Sequence, residues 1–402
     1  MAESKDNRCI KLVVFANSIL FKKVISGGDV VLPRIMGYWQ SNKYDLTVIT
    51  TKRGEELWHE AGIHAKFILL PHTVFEDQEY IFLVPIIYII RLIACLFVLP
   101  RLHFQLGQSF IVYTSSDFLP DVLPAFLLKR KRIYWLARIF HITKGPIRRK
   151  GNIVFNLLAY LGQKISFFFI RCRSDKIITL SGTYPALIRL GFRNKKIFIS
   201  NIGIPGEMIR NCQSYAEAFE GIYIGGILGN KGTYDLIDIW SRVLDYKPRA
   251  RLAIIGGATK RISEEFQNII DKRNLNPHIK YFGYIKDSKL VYSILRAAKI
   301  YLCPGHENGF SIPVAEAMSC GIPVVAYALS MFGTAFKKGF TAVDIHDKEN
   351  FARSVVSLLE DANYYRRVSQ DALDESAKFK WDKIAADFEL LLQYFYHESY
   401  KK

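Results

Sequence analysis

Pro304-Gly-His-Glu-Asn-Gly-Phe-Ser-Ile-Pro-Val-Ala-Glu-Ala-Met-Ser-Cys-Gly-Ile-Pro-Val-Val325 is the stretch on which the reading of this chain turns. Just before it, residues 299–303 (Lys-Ile-Tyr-Leu-Cys) form a short apolar run that closes at Pro304-Gly305, as a buried parallel strand does. A polar loop follows, and Pro313 stands where the first residue of a helix belongs. That helix continues through Glu316, Ala317 and Met318 and stops at Gly321. Residues 322–326 read as the next buried strand. A strand–loop–helix unit of this kind aims free backbone N–H groups and the positive end of a helix dipole at whatever occupies the loop, which suits phosphate. Glu316, one turn into the helix, can accept two hydrogen bonds from a vicinal diol such as a ribose.

The same alternation extends outward to both ends of the chain. Strands are expected near residues 11–16, 45–50, 66–70, 111–115, 133–137, 176–180 and 196–200. A second series follows near 221–225, 251–256, 279–283, 299–303, 322–326 and 341–345, with helical patterns between. This is the sequence form of doubly wound α/β domains, two in series with a break near 204–214. The closing helix, from Trp381 to about Tyr396, sets Ile384, Phe388, Leu391 and Phe395 on one stripe, ready to pack on a neighbouring lobe.

A length of 402 residues suits two domains that each bury a core. The six cysteines are scattered with no Cys-x-x-Cys pair, and the N-terminus lacks an apolar signal region. Both favour a cytoplasmic protein with reduced thiols. The formal net charge is +18, and between residues 122 and 174 twelve Lys or Arg stand with no Asp or Glu and with nine aromatic residues. A solvated basic face is one reading. An anionic membrane surface fits better, because basic side chains bind such a surface while apolar neighbours insert. Nucleic acid is not expected as a partner, since no RNA- or DNA-binding motif appears. Residues 81–99 are apolar apart from Arg91 and long enough to span a bilayer. Strand-like runs on both sides would then fall on opposite sides of the membrane if they share a sheet. An interfacial or partly buried helix with Pro85 in its first turn is therefore expected.

Ligands of open α/β sheets bind beyond the carboxyl ends of the strands. The residues there are Ser26-Gly27-Gly28-Asp29 after the first strand and its insertion, His141 after 133–137, and Lys231-Gly232 after 221–225. Paired glycines admit close backbone approach but equally make a turn. A lone His after an apolar run, or a lone Lys before a helix, is as readily structural. With the opening stretch, these positions resemble the family 4 (group 1) glycosyltransferases, whose signature is Glu-x7-Glu around Gly-Phe-Gly followed by Glu-Ala-Met-x-x-Gly-x-Pro-Val. The likeness covers nearly the whole chain. Further landmarks are Ser181, residues 201–204 (Asn-Ile-Gly-Ile), Gly256-Gly257 and residues 282–285 (Phe-Gly-Tyr-Ile).

The resemblance implies the GT-B architecture: two Rossmann-like doubly wound domains facing across a cleft, with the C-terminal helix crossing back. The expected parts are an acceptor-side domain at residues 1–204 with a membrane-facing region, a nucleotide-sugar domain at 205–380, and the returning helix at 381–402. The implied activity is retaining transfer from a nucleotide-diphosphate sugar to a lipid-linked or membrane-held acceptor, by an enzyme peripheral on the cytoplasmic face. Donor contacts fall on Lys231, Ile285, Gly309, Phe310, Ser311, Ile312 and Glu316, with Gly27 and Gly28 near the phosphates. His141 faces the transferred sugar.

Two positions depart from the family pattern. The partner arginine of Lys231 is replaced by Gly226, and the first acidic position falls on Asn308, with Glu307 one residue early. Either Glu307 or Asn308 fills that slot, and a donor-binding relative with decayed chemistry, or a sugar-nucleotide epimerase, stays open as the alternative. No Asp-x-Asp occurs, so no metal is expected, and His59 and His64 sit at the wrong spacing for a zinc helix.

Overall fold

The computed structural model describes residues 9–18, 30–39, 43–71, 73, 83–106, 109–143, 145–146, 153–306 and 310–401. Each expected strand is present, with ends displaced by two residues at most. The chain divides into two units, residues 1–200 with 381–402, and residues 201–380.

In the first unit the strands are β1 (Ile10–Ala16), β2 (Tyr44–Thr50), β3 (Lys66–Leu69), β4 (Phe110–Thr114), β5 (Ile133–Ile139), β6 (Lys176–Thr179) and β7 (Ile197–Ile199). They form one parallel sheet in the order β3-β2-β1-β4-β5-β6-β7. β1, β4 and β5 are buried on both faces, which explains their unbroken apolar runs. The core includes Val13, Phe15, Val112, Trp135 and Ile139, joined by Phe167 and Ile170 from the helix Ile153–Arg173.

The C-terminal helix Trp381–Lys401 belongs to this unit. Its stripe of Ile384, Phe388, Leu391 and Phe395 is buried. Phe388 stacks on Trp39 at 5.8 Å, Phe395 meets Tyr134 at 5.0 Å, and Trp39 Nε1 donates to the Ala385 carbonyl at 3.0 Å.

The second unit holds β8 (Phe219–Ile224), β9 (Leu252–Ile255), β10 (Ile279–Gly283), β11 (Ala298–Cys303), β12 (Val324–Tyr327) and β13 (Phe340–Val343). These also form a parallel sheet, in the order β10-β9-β8-β11-β12-β13. Both sheets thus wind outward in two directions from a pair of adjacent strands, β1/β4 in one and β8/β11 in the other. The loops at the carboxyl ends of such a pair diverge and leave a ligand crevice.

Most of the apolar run at residues 81–99 falls within one long helix that keeps one polar residue inside. The helix is Val84–Leu106, with Pro85 at its second position. Arg91 points inward, is fully buried and donates from Nη1 to the Asn17 carbonyl at 2.5 Å.

Candidate functional site

At the β8/β11 switch point two loops are locked together. Gly232 adopts φ +68° and begins the helix Thr233–Tyr246; a Cβ there would lie 1.8 Å from the Pro304 carbonyl oxygen. Glycine is required by both the left-handed backbone and the close approach. The His306 amide donates to the Asn230 carbonyl at 3.0 Å, closing the same contact from the other side. Lys231 is half-buried at the end of a single 3-10 turn, Gly229–Lys231, close enough to the Cys303 thiol to oppose the rise that burial imposes on it, to about 12. Two helix N-termini therefore open onto one loop pair that carries a lysine, an arrangement that attracts a diphosphate.

The second of these helices is Ile312–Ser319, one residue earlier than Pro313 alone suggests. Ser311 caps it, its Oγ accepting from the Val314 amide at 3.4 Å, and Gly321 at φ +71° ends it. Ser311 Oγ accepts at the cap and keeps its own O–H to donate. The Phe310 ring is packed, stacked on Phe336 at 5.3 Å and edge-on to Phe379 at 5.2 Å. Glu316 is buried, and Tyr292 Oη donates to its Oε1 at 3.1 Å, which fixes the carboxylate's orientation. Ile312 and Ile285 are half-buried at this carboxyl edge, Ile285 just after β10. Gly27, Gly28, Glu307, Asn308 and Gly309 lie outside the described residues.

One cluster at this edge went unread in the sequence. The Asp235 carboxylate, in the first turn of Thr233–Tyr246, faces His306 Nε2 at 2.9 Å, Tyr327 Oη at 3.2 Å, Lys348 Nζ at 3.2 Å and His346 Nδ1 at 3.7 Å. Burial pushes the carboxyl up, but His306 and Lys348 outweigh it and hold it below its ordinary range. Asp235, His306 and His346 are near enough to share a metal ion, their ligand atoms all within 4.8 Å. Lys348 already supplies a positive charge there, so the cluster is accounted for as an ion-pair hub tying the loops after β11 and β13 to the helix after β8. Its signal lay in the opening stretch itself, where His306 directly precedes Glu307.

In the first unit, His141 is exposed just past β5. Its neighbourhood centres on Asp117, after β4, which is buried. Gln163 Nε2 donates to Asp117 Oδ2 at 2.6 Å and to the His141 carbonyl at 2.9 Å, and its Oε1 accepts from the Thr143 amide at 2.7 Å. Burial raises the Asp117 carboxyl, opposed only in part by His141 and Gln163. A second buried carboxyl, Asp121, accepts from the Asn17 amide at 2.8 Å and from Ser116 Oγ at 2.6 Å. Asn17 is the residue after β1, so these groups line the β1/β4 switch point. The sequence marks it only by the polar run Ser115-Ser116-Asp117 after an apolar strand.

Comparison with known proteins places this geometry. Over nearly the full chain the fold is that of sucrose-phosphate synthase from Thermosynechococcus elongatus, with a TM-score of 0.73 at 15% identity, covering 97% of this chain and 100% of that one. Anabaena Alr3699/HepE, solved in complex with UDP-glucose, is similar at TM-score 0.69 and 14% identity, covering 96% and 99%. The fold is therefore GT-B. Residues 208–374 match the family described as glycosyl transferases group 1. Over these residues the chain is similar to the group 1 glycosyltransferases. It is 24% identical to O-antigen chain mannosyltransferase B of Escherichia coli over 181 residues, 44% of this chain and 47% of that protein. It is 27% identical to D-inositol 3-phosphate glycosyltransferase of Corynebacterium efficiens over 175 residues, 42% and 41% of the two chains. The chain spans about half the length of the relatives it matches.

Proposed function

We propose that this protein is a retaining glycosyltransferase. It moves a sugar from a nucleotide-diphosphate sugar, held in the C-terminal unit, to a lipid-linked acceptor at the cytoplasmic face of a membrane, presented by the N-terminal unit. The observation that carries the reading is the β8/β11 switch point, where Lys231 and two helix N-termini face one loop pair and Glu316 is oriented by Tyr292. The diphosphate is the leaving group, and charge develops on it as the glycosidic bond breaks. Lys231 and the helix N-termini stabilise that charge from fixed positions, which is where electrostatic catalysis gains most. Glu316 takes the hydroxyls of the donor, Glu307 or Asn308 positions the sugar, and His141 faces it. Asp117 acts through His141 as a positioning residue, with Gln163 holding the segment of both.

No paired carboxylate nucleophile and acid in the retaining-glycosidase pattern is evident in the sequence. A front-face displacement is the mechanism proposed instead, with the departing diphosphate taking the acceptor proton and no metal required. UDP-sugars are the first donors to test, given the UDP-glucose complex of Alr3699/HepE. The test is product analysis with donor alone and with lipid acceptor. A glycolipid that keeps the donor's anomeric configuration is expected. An altered sugar nucleotide formed without acceptor would instead make the protein an epimerase.

A further inference from the structure

One side of the N-terminal unit carries a helix layer that is apolar on its outward face and keeps polar side chains among its inward ones. The helix Val84–Leu106 turns Arg91 inward with Ile87, Cys95 and Leu102, and turns Ile86, Ile89, Ile93, Leu96 and Phe97 outward. The helix Ile153–Arg173 repeats the pattern, with Phe167 and Ile170 in the core. Its inner stripe contains Asn156, Gln163 and Ser166, all buried, while Leu157, Leu158, Leu161, Ile165 and Phe168 are exposed. Phe97 and Phe168 are 77% and 62% exposed, more than most core-type side chains keep at a surface. The helix Leu119–Leu128 packs against both, so all three form one layer, and it adds exposed Leu127. A helix facing water is apolar inside and polar outside. Here the inner polarity is explained, because Gln163 and Arg91 hold the groups around His141 and Asn17. The outer apolarity is not explained by water.

We propose that this three-helix layer is a docking face for an anionic lipid bilayer, with both long helices lying in the membrane interface. The inference deepens the acceptor half of the function above and rests on that reading. Charge argues for lipid. The segment that supplies two of the three helices carries twelve Lys or Arg and no acid between residues 122 and 174, and exposed Arg101, Lys164, Arg171 and Arg173 flank the apolar stripes. Such cations bind anionic headgroups while the stripe enters the acyl boundary. Composition argues the same way, since protein interfaces are enriched in aromatic residues, Met and Arg, whereas these stripes are mostly Ile and Leu.

Both helices are long and apolar enough to cross a membrane, but topology forbids it. Val84–Leu106 joins β3 to β4 within one parallel sheet, and Ile153–Arg173 joins β5 to β6, which pair directly from Leu136↔Lys176 to Ile139↔Thr179. Each helix starts and ends on the same sheet, on the same side of any bilayer. The consequence is functional. Gln163, on the inner stripe of a docked helix, is bonded to the His141 segment, so docking would hold the acceptor-side groups at the depth of a lipid headgroup.

The experiment is flotation of the full-length protein with neutral phosphatidylcholine vesicles and with vesicles containing phosphatidylglycerol. It is run on the wild type, on Leu157→Glu/Leu161→Glu/Phe168→Glu, and on Leu390→Glu as a control on the C-terminal helix. Binding to the anionic vesicles is expected, at least tenfold weaker in the triple variant and unchanged in the control. Phe97→Trp and Phe168→Trp provide a second readout that needs no disruptive change, and both should be quenched by lipids brominated near the headgroup end of the chains. No flotation of the wild type, a self-associated species dissolved by the triple variant, or resistance to alkaline extraction would each overturn the proposal. Nucleotide binding, measured in parallel, separates the two readings. Its loss with vesicle binding intact contradicts the transferase site, and the reverse contradicts this surface alone.

Discussion

The carboxyl edges of the two sheets share one winding order and differ in how they are built. The C-terminal edge is assembled from backbone: a left-handed glycine against a carbonyl, two helix N-termini, and one lysine. The N-terminal edge is assembled from buried side chains, with Asp117 and Asp121 inside and Gln163 and Asn17 bonded to them. The difference matches what each edge is proposed to hold. A diphosphate is a fixed anionic shape that amides and a helix dipole recognise directly. An acceptor hydroxyl calls for a few oriented side chains, and those need a second layer to orient them.

Substitutions can break this contrast. The largest effect is expected at Gly232→Val, where the backbone conformation and the contact with the Pro304 carbonyl both exclude a side chain. A destabilisation of about 3–5 kcal/mol is expected, with donor binding lost, measured by thermal melts and nucleotide titration. Gln163→Leu removes three hydrogen bonds at the other edge and should cost about 2–3 kcal/mol. Donor affinity should survive in that variant; its loss would mean the edges are not separable by role. Glu316→Ala should do the opposite. It is expected to weaken donor binding by roughly 30-fold, about 2 kcal/mol, the worth of one charged hydrogen-bonding group, while leaving the N-terminal unit intact.

Asp117→Asn sharpens the comparison through pH. Burial raises the Asp117 carboxyl, so the folded protein favours its protonated form. Below the ordinary carboxyl range, about pH 3.9, the group is protonated in both states and no stability is lost. As pH rises from there through the raised folded value, the wild type loses stability that the non-titrating variant keeps. The stability of Asp117→Asn relative to wild type should therefore grow across that window and level off above it. A constant difference would show that folding leaves the Asp117 pKa where it is in the unfolded chain.

Strands and the helix Ile312–Ser319 were legible because each leaves a local pattern: an unbroken β-branched run, a proline and a glycine bracketing a helix. The orientation of residues 84–106 was not. When nearly every position is apolar the periodicity vanishes, and only Arg91, buried against the Asn17 carbonyl, tells which face is inside. Asp117 was missed because its partner Gln163 lies 46 residues away, and Asp235 because its partners come from three separate segments: the loop after β11, the end of β12 and the connection after β13. Such contacts are set by the sheet order, which no short stretch carries. The same holds for residues 381–402, whose apolar stripe is plain in the sequence while the unit that receives it is decided by the fold.

The most direct test of the central claim is nucleotide release from a panel of UDP-, GDP- and other nucleotide sugars, with and without lipid extract, using Glu316→Ala as control. Lipid-dependent release from one donor, lost in the variant, is the predicted result. Measurable donor binding with no release from any donor, whatever lipid is supplied, would contradict it and leave Asn308 as the residue where the chemistry was lost.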